Sequence, residues 1–290
     1  MPEGRIIKAL SGYYYVLDEE KTWQCRARGV FKKRGISPLV GDWVTYDQGE
    51  NQEGFIQTVA DRKTELVRPP IANVEQAFLV FSLAEPVFNP LLLDRFLVHT
   101  EGAGLRSIIC LSKVDLLRDG YQAIKETYEQ IGYPVLATSK KTGEGIQELK
   151  ALLRNHISVF SGQSGVGKSS LLNEILPGVN LQIGQVSERL RRGKHTTRHV
   201  ELIPVEGGFV ADTPGFSQLD FFDVDPEQLG YHFIDFKPYI ADCKFRGCLH
   251  ISEPGCAVRA ALADGQINQQ RYDNYAVFLE EIKEDKRRRY

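Results

Sequence analysis

Long apolar runs are missing from this chain, as are an excess of charge of one sign and a dense set of cysteines, and each absence excludes a class of protein. No stretch approaches the ~18 consecutive apolar residues of a membrane-spanning helix. With 36 Lys and Arg against 38 Asp and Glu, the net charge is -2, so any contact with nucleic acid has to come from local patches. Five cysteines in 290 residues are too few for a disulfide scaffold. Three of them fall between Cys243 and Cys256, which suits a metal site in a reducing compartment. Cys25 and Cys110 lie inside apolar strand patterns and read as buried thiols. The opening Met-Pro-Glu-Gly-Arg lacks the charged-then-apolar order of a signal peptide, and the expected location is the cytoplasm. The length suits two or three globular domains.

What is present centres on Gly162-Gln163-Ser164-Gly165-Val166-Gly167-Lys168-Ser169, which fits the phosphate-loop pattern G-x-x-x-x-G-K-[ST] at every fixed position. The apolar run Ile157 to Phe160 before it reads as a strand, and Ser169-Ser170-Leu171-Leu172-Asn173 after it as the start of a helix. Glycines let backbone N–H groups turn inward around phosphate oxygens, Lys168 reaches the terminal phosphates and the Ser169 hydroxyl can ligate Mg2+. A nucleoside di- or triphosphate is therefore the expected ligand.

Residues 1 to about 68 read as short strands with no helix-length pattern. In Trp23 to Arg28 apolar and polar residues alternate, so Trp23, Cys25 and Ala27 share one side and Gln24, Arg26 and Arg28 the other. Ile6 to Leu10, Tyr13 to Leu17, Trp43 to Tyr46 and Phe55 to Val59 bring the count to five, which suits a small OB-type barrel. Arg26, Arg28, Lys32, Lys33 and Arg34 lie on and just beyond one strand. Two readings stand: a face that follows a nucleic-acid backbone, or a solvated basic edge that discourages strand pairing between molecules. Arg68-Pro69-Pro70 is expected to stop both strand and helix and to end this domain.

Strand and helix then alternate, predicting a mostly parallel sheet covered on both faces. Val74 to Phe81 is a strand; Asn89 caps and Pro90 starts a helix to about Gly102; Ser107 to Leu111 is a strand and Tyr121 to Ile131 a helix. Val135 to Thr138, a helix Glu144 to Arg154, the phosphate-loop strand and helix, and strands His199 to Val205 and Phe209 to Ala211 complete the set. The last strand runs into Asp212-Thr213-Pro214-Gly215, where Asp212 would help to hold Mg2+ and the Gly215 N–H would sense the terminal phosphate. Upstream, Ser112-Lys113-Val114-Asp115 resembles the guanine-reading N-K-x-D motif, in which one carboxylate accepts both the ring N–H and the exocyclic amine of guanine. Ser139 and Lys140 resemble the companion S-A-K loop, whose backbone meets the guanine carbonyl. In Ras-like GTPases the phosphate loop comes first and the base-reading loops last. Here the base-reading loops come first and the phosphate loop, switch and D-x-x-G follow, with all six strands present, so the chain reads as circularly permuted, cut between the third and fourth strands.

Cys243-x4-Cys248-x-His250-x5-Cys256 offers three thiolates and an imidazole, a closed tetrahedral set of structural zinc type. Beyond it, Tyr272, Tyr275, Ala276, Phe278, Leu279 and Ile282 share one helical face expected to pack on the zinc module. Lys283, Lys286 and Arg287 to Arg289 at the helix end read either as complements to its dipole or as rRNA contacts.

With Gly193-Lys194-His195-Thr196-Thr197-Arg198 added, the whole chain closely resembles the RsgA family of circularly permuted ribosome-biogenesis GTPases. The resemblance implies a multidomain α/β protein: an OB-type barrel over 1–68, a permuted Ras-like GTPase domain over 69–221, and a mostly helical zinc domain over 222–290. It implies GTP and GDP, Mg2+ and one structural Zn2+ as ligands, with slow hydrolysis stimulated by the 30S ribosomal subunit during its late maturation. The expected partners are 16S rRNA and ribosomal proteins, with no membrane and the protein a monomer. Thr196 or Thr197 occupies the place of switch I, which closes on Mg2+ and the terminal phosphate. Phe216 follows Gly215 where Ras-like enzymes carry a water-orienting glutamine. The resemblance points to His195 as its substitute, since an imidazole orients or deprotonates water near neutral pH. The plainer reading is an exposed loop histidine. Ser112 departs from the usual Asn or Thr, and a weakened bracing of the neighbouring loops is expected. Two other readings remain open at this point: a non-catalytic RNA-binding assembly module with nucleotide as a structural ligand, and an ATPase.

Overall fold

The structure, a computed structural model, describes residues 1–19, 21–33, 35–49, 52–67, 69–116, 120–176, 200–212, 221 and 224–289. For Lys32, Lys33, Val67, Asp212 and Arg289 it describes the backbone alone. The expected barrel is present: β1 (Glu3–Leu10), β2 (Tyr13–Asp18), β3 (Lys21–Ala27), β4 (Trp43–Gln48) and β5 (Glu53–Val59). They pair in the order β1-β2-β3-β5-β4, and β4 returns to β1 to close the ring. Alternation on β3 works as the pattern requires, with Cys25 fully buried and Arg26 exposed. Where no helix was expected, the five-residue helix α1 (Gly29–Lys33) follows β3. One and a half turns are too few to show a period in the sequence. Lys32 and Lys33 therefore ride on a helix, and its Phe31 is buried in the same apolar cluster as Val16, Cys25 and Tyr46.

The tandem prolines also act differently from expectation. β6 (Glu65–Val67) pairs antiparallel with β7 (Pro70–Ala72), so Pro70 begins a strand. A first strand residue in a two-stranded ribbon tolerates the missing N–H.

The second sheet is built from β8 (Gln76–Ser82), β9 (Arg106–Ser112), β10 (Val135–Thr138), β11 (Ile157–Ser161), β12 (Glu201–Val205) and β13 (Gly208–Asp212). Helices α2 (Pro90–Gly102), α3 (Gln122–Ile131), α4 (Ile146–Leu153) and α5 (Lys168–Ile175) connect them. The spatial order is β10-β9-β8-β11-β13-β12, parallel except for β12. The phosphate-loop strand β11 lies in the middle, the base-reading strands on one side and the switch strands on the other. That is the permuted order read from the sequence.

All seven residues of β8 are buried, as a strand covered on both faces demands. Its alternation sends Ala77, Leu79 and Phe81 to the face shared with Leu93, Phe96 and Leu97 of α2. Phe78 and Val80 go to the face shared with Leu149 of α4 and Leu171 of α5. Asn89 caps α2 by accepting the Leu92 N–H at 3.2 Å, with Pro90 in the first turn. β1 pairs with β12 at Lys8 and Glu201, whose side chains form an ion pair at 2.9 Å, so barrel and sheet are one continuous eleven-stranded sheet.

The C-terminal module carries short helices Pro226–Leu229, Lys237–Ile240 and Ala257–Ala263, and the long helix Gln269–Arg289. Tyr275, Phe278, Leu279 and Ile282 of the long helix are buried, as its period predicts. Apolar periodicity could not reveal that Arg271 and Asn274 are buried beside them. Arg271 donates to Asp94 on α2 at 2.7 Å and to Asp235 at 2.8 Å. Asp94, itself fully buried, also accepts from Asn274 at 2.6 Å and from the Tyr128 hydroxyl at 3.0 Å. Burial pushes the Asp94 carboxyl up, and those three donors oppose the shift. Among the described residues no helix is long and apolar enough to cross a membrane.

Candidate functional site

The phosphate loop turns between β11 and α5 with Gly162, Gly165 and Gly167 at φ +142°, +84° and +100°. A Cβ on Gly162 would sit 2.1 Å from the Val80 carbonyl oxygen, so only glycine lets the loop leave the sheet here. Lys168 opens α5 and folds back, donating to the carbonyls of Gly162 at 2.7 Å and Gln163 at 2.6 Å. Burial lowers its pKa from 10.5 to about 8, because the ammonium lies in a desolvated cradle with neutral dipoles as partners. An anion would supply the missing charge. Ser169 and Ser170 occupy the first turn of the same helix.

The base-reading loop meets the phosphate loop from the other side. The Ser112 hydroxyl, buried, donates to the Val166 carbonyl at 2.6 Å and lies 3.3 Å from the Phe81 carbonyl. Serine thus still ties the two loops together, although one hydroxyl proton serves one carbonyl at a time. Lys113 stretches across to donate to Gly165 O at 2.8 Å and Glu85 O at 2.6 Å. The Ser139 hydroxyl donates to Asp115 at 2.6 Å, joining the companion loop to the carboxylate. Val114 is buried under its short turn.

These loops enclose a cavity of about 200 Å³ whose walls include Lys113, Asp115, Lys140, Val166, Gly167 and Ser170. Asp115 and the phosphate loop, far apart in sequence, border one space. Its walls suit a purine by chemistry: they carry the Asp115 carboxylate and Gly167, the residue that leads into the desolvated Lys168.

In the C-terminal module the ligand atoms of Cys243, Cys248, His250 and Cys256 all lie within 4.8 Å of one another. A tetrahedral Zn2+ with bonds of about 2.3 Å to sulfur and about 2.0 Å to nitrogen needs S···S edges of about 3.8 Å and S···N edges of about 3.5 Å. The Cys243–Cys256 sulfurs are 3.9 Å apart, and His250 Nδ1 is 3.6 Å from Cys243 Sγ and 3.4 Å from Cys256 Sγ. These three edges match the ion's size, and Cys248 lies within 4.8 Å of each. Burial pushes the Cys248 thiol up to about 12 and the Cys256 thiol up as well, so a cation would have to draw the proton from each. Glu253 accepts three backbone N–H groups, from Leu249, Ile251 and Ser252, and fixes the loop that carries His250. Tyr272 and Tyr275 of the long helix donate to the His250 and Leu249 carbonyls at 2.6 and 2.8 Å. The helix face does pack on this module.

The family model described as RsgA GTPase matches residues 59–222, and that of the RsgA N-terminal domain matches residues 3–56. The chain belongs to the RsgA GTPase family. A relative from Halalkalibacterium halodurans, named small ribosomal subunit biogenesis GTPase RsgA, is 52% identical over 294 residues, covering 100% of both chains. Relatives of the same name from Bacillus cereus and Bacillus subtilis are 56% and 52% identical over 99% of this chain and 100% of theirs. The crystal structure of YloQ, described as a circularly permuted GTPase, superposes with a TM-score of 0.85 at 47% identity, covering 98% of this chain and 96% of that one. YjeQ from Thermotoga maritima gives 0.87 at 36% identity, covering 97% and 98%.

For an RsgA GTPase the terminal phosphate is expected to be faced by the switch residues. His195, Thr196, Thr197 and Gly215 lie outside the described residues. Asp212 ends β13 with its backbone paired to Glu201. Sequence reasoning missed Thr138 as a cavity wall and the Glu85-Pro86 segment as the far support of Lys113. Pro86, soon after β8 ends at Ser82, was the one signal that a turn stands there.

Proposed function

We propose that this GTPase works on the small ribosomal subunit, binding it with GTP and leaving after hydrolysis. The observation that carries the reading is the shared cavity, in which the Asp115 loop and the phosphate loop are tied together by Ser112 and Lys113. Asp115 would read the guanine edge, Lys140 and the Ser139 loop its carbonyl side, and Gly162 to Ser170 with Lys168 the phosphates. Mg2+, held through Ser169 with Asp212 behind it, would neutralise charge on the phosphates. In the reaction a water oxygen bonds to the γ-phosphorus and the bond to the β-phosphate oxygen breaks, giving GDP and phosphate.

Phe216 neither donates nor accepts, so the isolated protein hydrolyses slowly and His195 orients the water when the subunit is bound. The barrel, up to about residue 68, would contact 16S rRNA. Register places Tyr13, Arg26 and Phe55 side by side on β2, β3 and β5, with Arg26 over the Tyr13 ring at 4.6 Å and Phe55 48% exposed. Such a row suits unstacked bases. The part beyond about residue 221 holds one structural zinc. The protein acts as a monomer in the cytoplasm, where its partner is found.

The test is GTP turnover by wild type and His195→Ala with and without saturating small subunits. Stimulation of wild type, lost by about a hundredfold or more in the variant, is expected for a catalytic group. Absence of any stimulation refutes the reading and leaves nucleotide as a structural ligand.

A further inference from the structure

Phe221 follows Asp212-Thr213-Pro214-Gly215 in sequence and is 2% exposed. Its ring stacks on His99 of α2 at 5.2 Å and 4° and packs on Phe278 of the C-terminal helix at 5.0 Å. Arg95, one turn before His99 on α2, completes the slot. Its guanidinium carbon lies 4.7 Å from the Phe221 ring centre and 4.8 Å from that of Phe278. The same guanidinium makes a two-pronged ion pair with Glu281 of the C-terminal helix, at 2.7 and 2.5 Å.

One side chain thus touches Phe221, which follows the D-x-x-G stretch in sequence, and two residues of the C-terminal helix. Arg271 and Asp94 hold the helix's beginning on α2 without touching Phe221, whereas Arg95 holds its middle through Glu281 and Phe278 while also packing on Phe221. Withdrawing Phe221 would strip one of the two aromatic faces from the guanidinium and loosen its grip on Glu281.

We propose that Arg95 is a positioning residue that couples the nucleotide state to the C-terminal helix, transmitting displacement of Phe221 to the segment around Phe278 and Glu281. This rests on the reading of the protein as a nucleotide-dependent switch and assigns its relay. By linkage, a partner that fixes the helix alters the D-x-x-G stretch through the same residue.

The experiment is hydrogen–deuterium exchange of the C-terminal helix in the full-length protein, with GDP or a non-hydrolysable GTP analogue, for wild type, Arg95→Ala, Arg95→Lys and Glu281→Gln. Wild type should differ between nucleotides around Phe278 and Glu281. Arg95→Ala and Glu281→Gln should lose most of that difference while keeping bound zinc and unstimulated turnover. Arg95→Lys, which keeps the charge over the rings, should recover part. Turnover stimulated by small subunits should fall about fivefold or more in Arg95→Ala. An unchanged nucleotide difference in Arg95→Ala, or none in wild type, overturns the proposal. Stimulation of wild type by subunits is scored separately, so the switch reading can survive that failure.

Discussion

Raising the pH above 8 should weaken nucleotide binding through Lys168. In the free protein burial has lowered this lysine to about 8. A bound phosphate restores an opposite charge and pulls the value back up, so the complex holds more protons than the free protein. Affinity is therefore flat below about pH 7 and falls as pH rises through 8. With a midpoint of about 8, about nine-tenths of the free protein carries the ammonium at pH 7 and about one-tenth at pH 9. Since the complex requires the ammonium, the dissociation constant for GDP should rise about tenfold across that window, or about 1.4 kcal/mol. Calorimetry in two buffers of different ionisation enthalpy reads the same quantity directly. At pH 8 binding should take up about half a proton, and at pH 7 about a tenth. Lys168→Arg, which stays charged, should bind with an affinity that does not vary over this range. Zero proton uptake at pH 8 would show that the free lysine is already fully charged, and the account of its desolvated cradle would be wrong.

Removing the guanidinium in Arg271→Ala leaves Asp94 and Asp235 without their shared cation in a buried site and should cost about 3–5 kcal/mol in chemical denaturation. A loss under 1 kcal/mol would mean that the carboxylates relax to water. Cys256→Ser, or a strong chelator, should remove one zinc per chain by metal analysis and make the region around Cys243 to His250 protease-sensitive, since metal and folding energy are shared there. Unaltered protease resistance after complete zinc loss would assign the module's stability to its apolar cluster around Phe233, Phe236 and Tyr275 instead.

Elements with strong local signals were legible in the chain before any coordinates. Asn89-Pro90 opens α2, the alternation at Trp23 to Arg28 makes a barrel strand, and Cys243 to Cys256 make a cage of zinc dimensions. These depend on neighbours a few residues apart, where spacing alone sets geometry. Motif order was enough to reveal the permutation, because six strands with one cut allow a single reassembly around the phosphate loop. Folding in three dimensions supplied what pairs residues across the chain: Lys8 with Glu201 at the barrel seam, Lys113 with Gly165, Arg95 with Phe221 and Glu281, and Arg271 with Asp94. A charged residue in a helix reads as solvated until its partner is known, since burial of a charge is tolerable only where an opposite charge arrives from elsewhere. No local pattern encodes that meeting, and packing of α2 against the C-terminal helix is what brings it about.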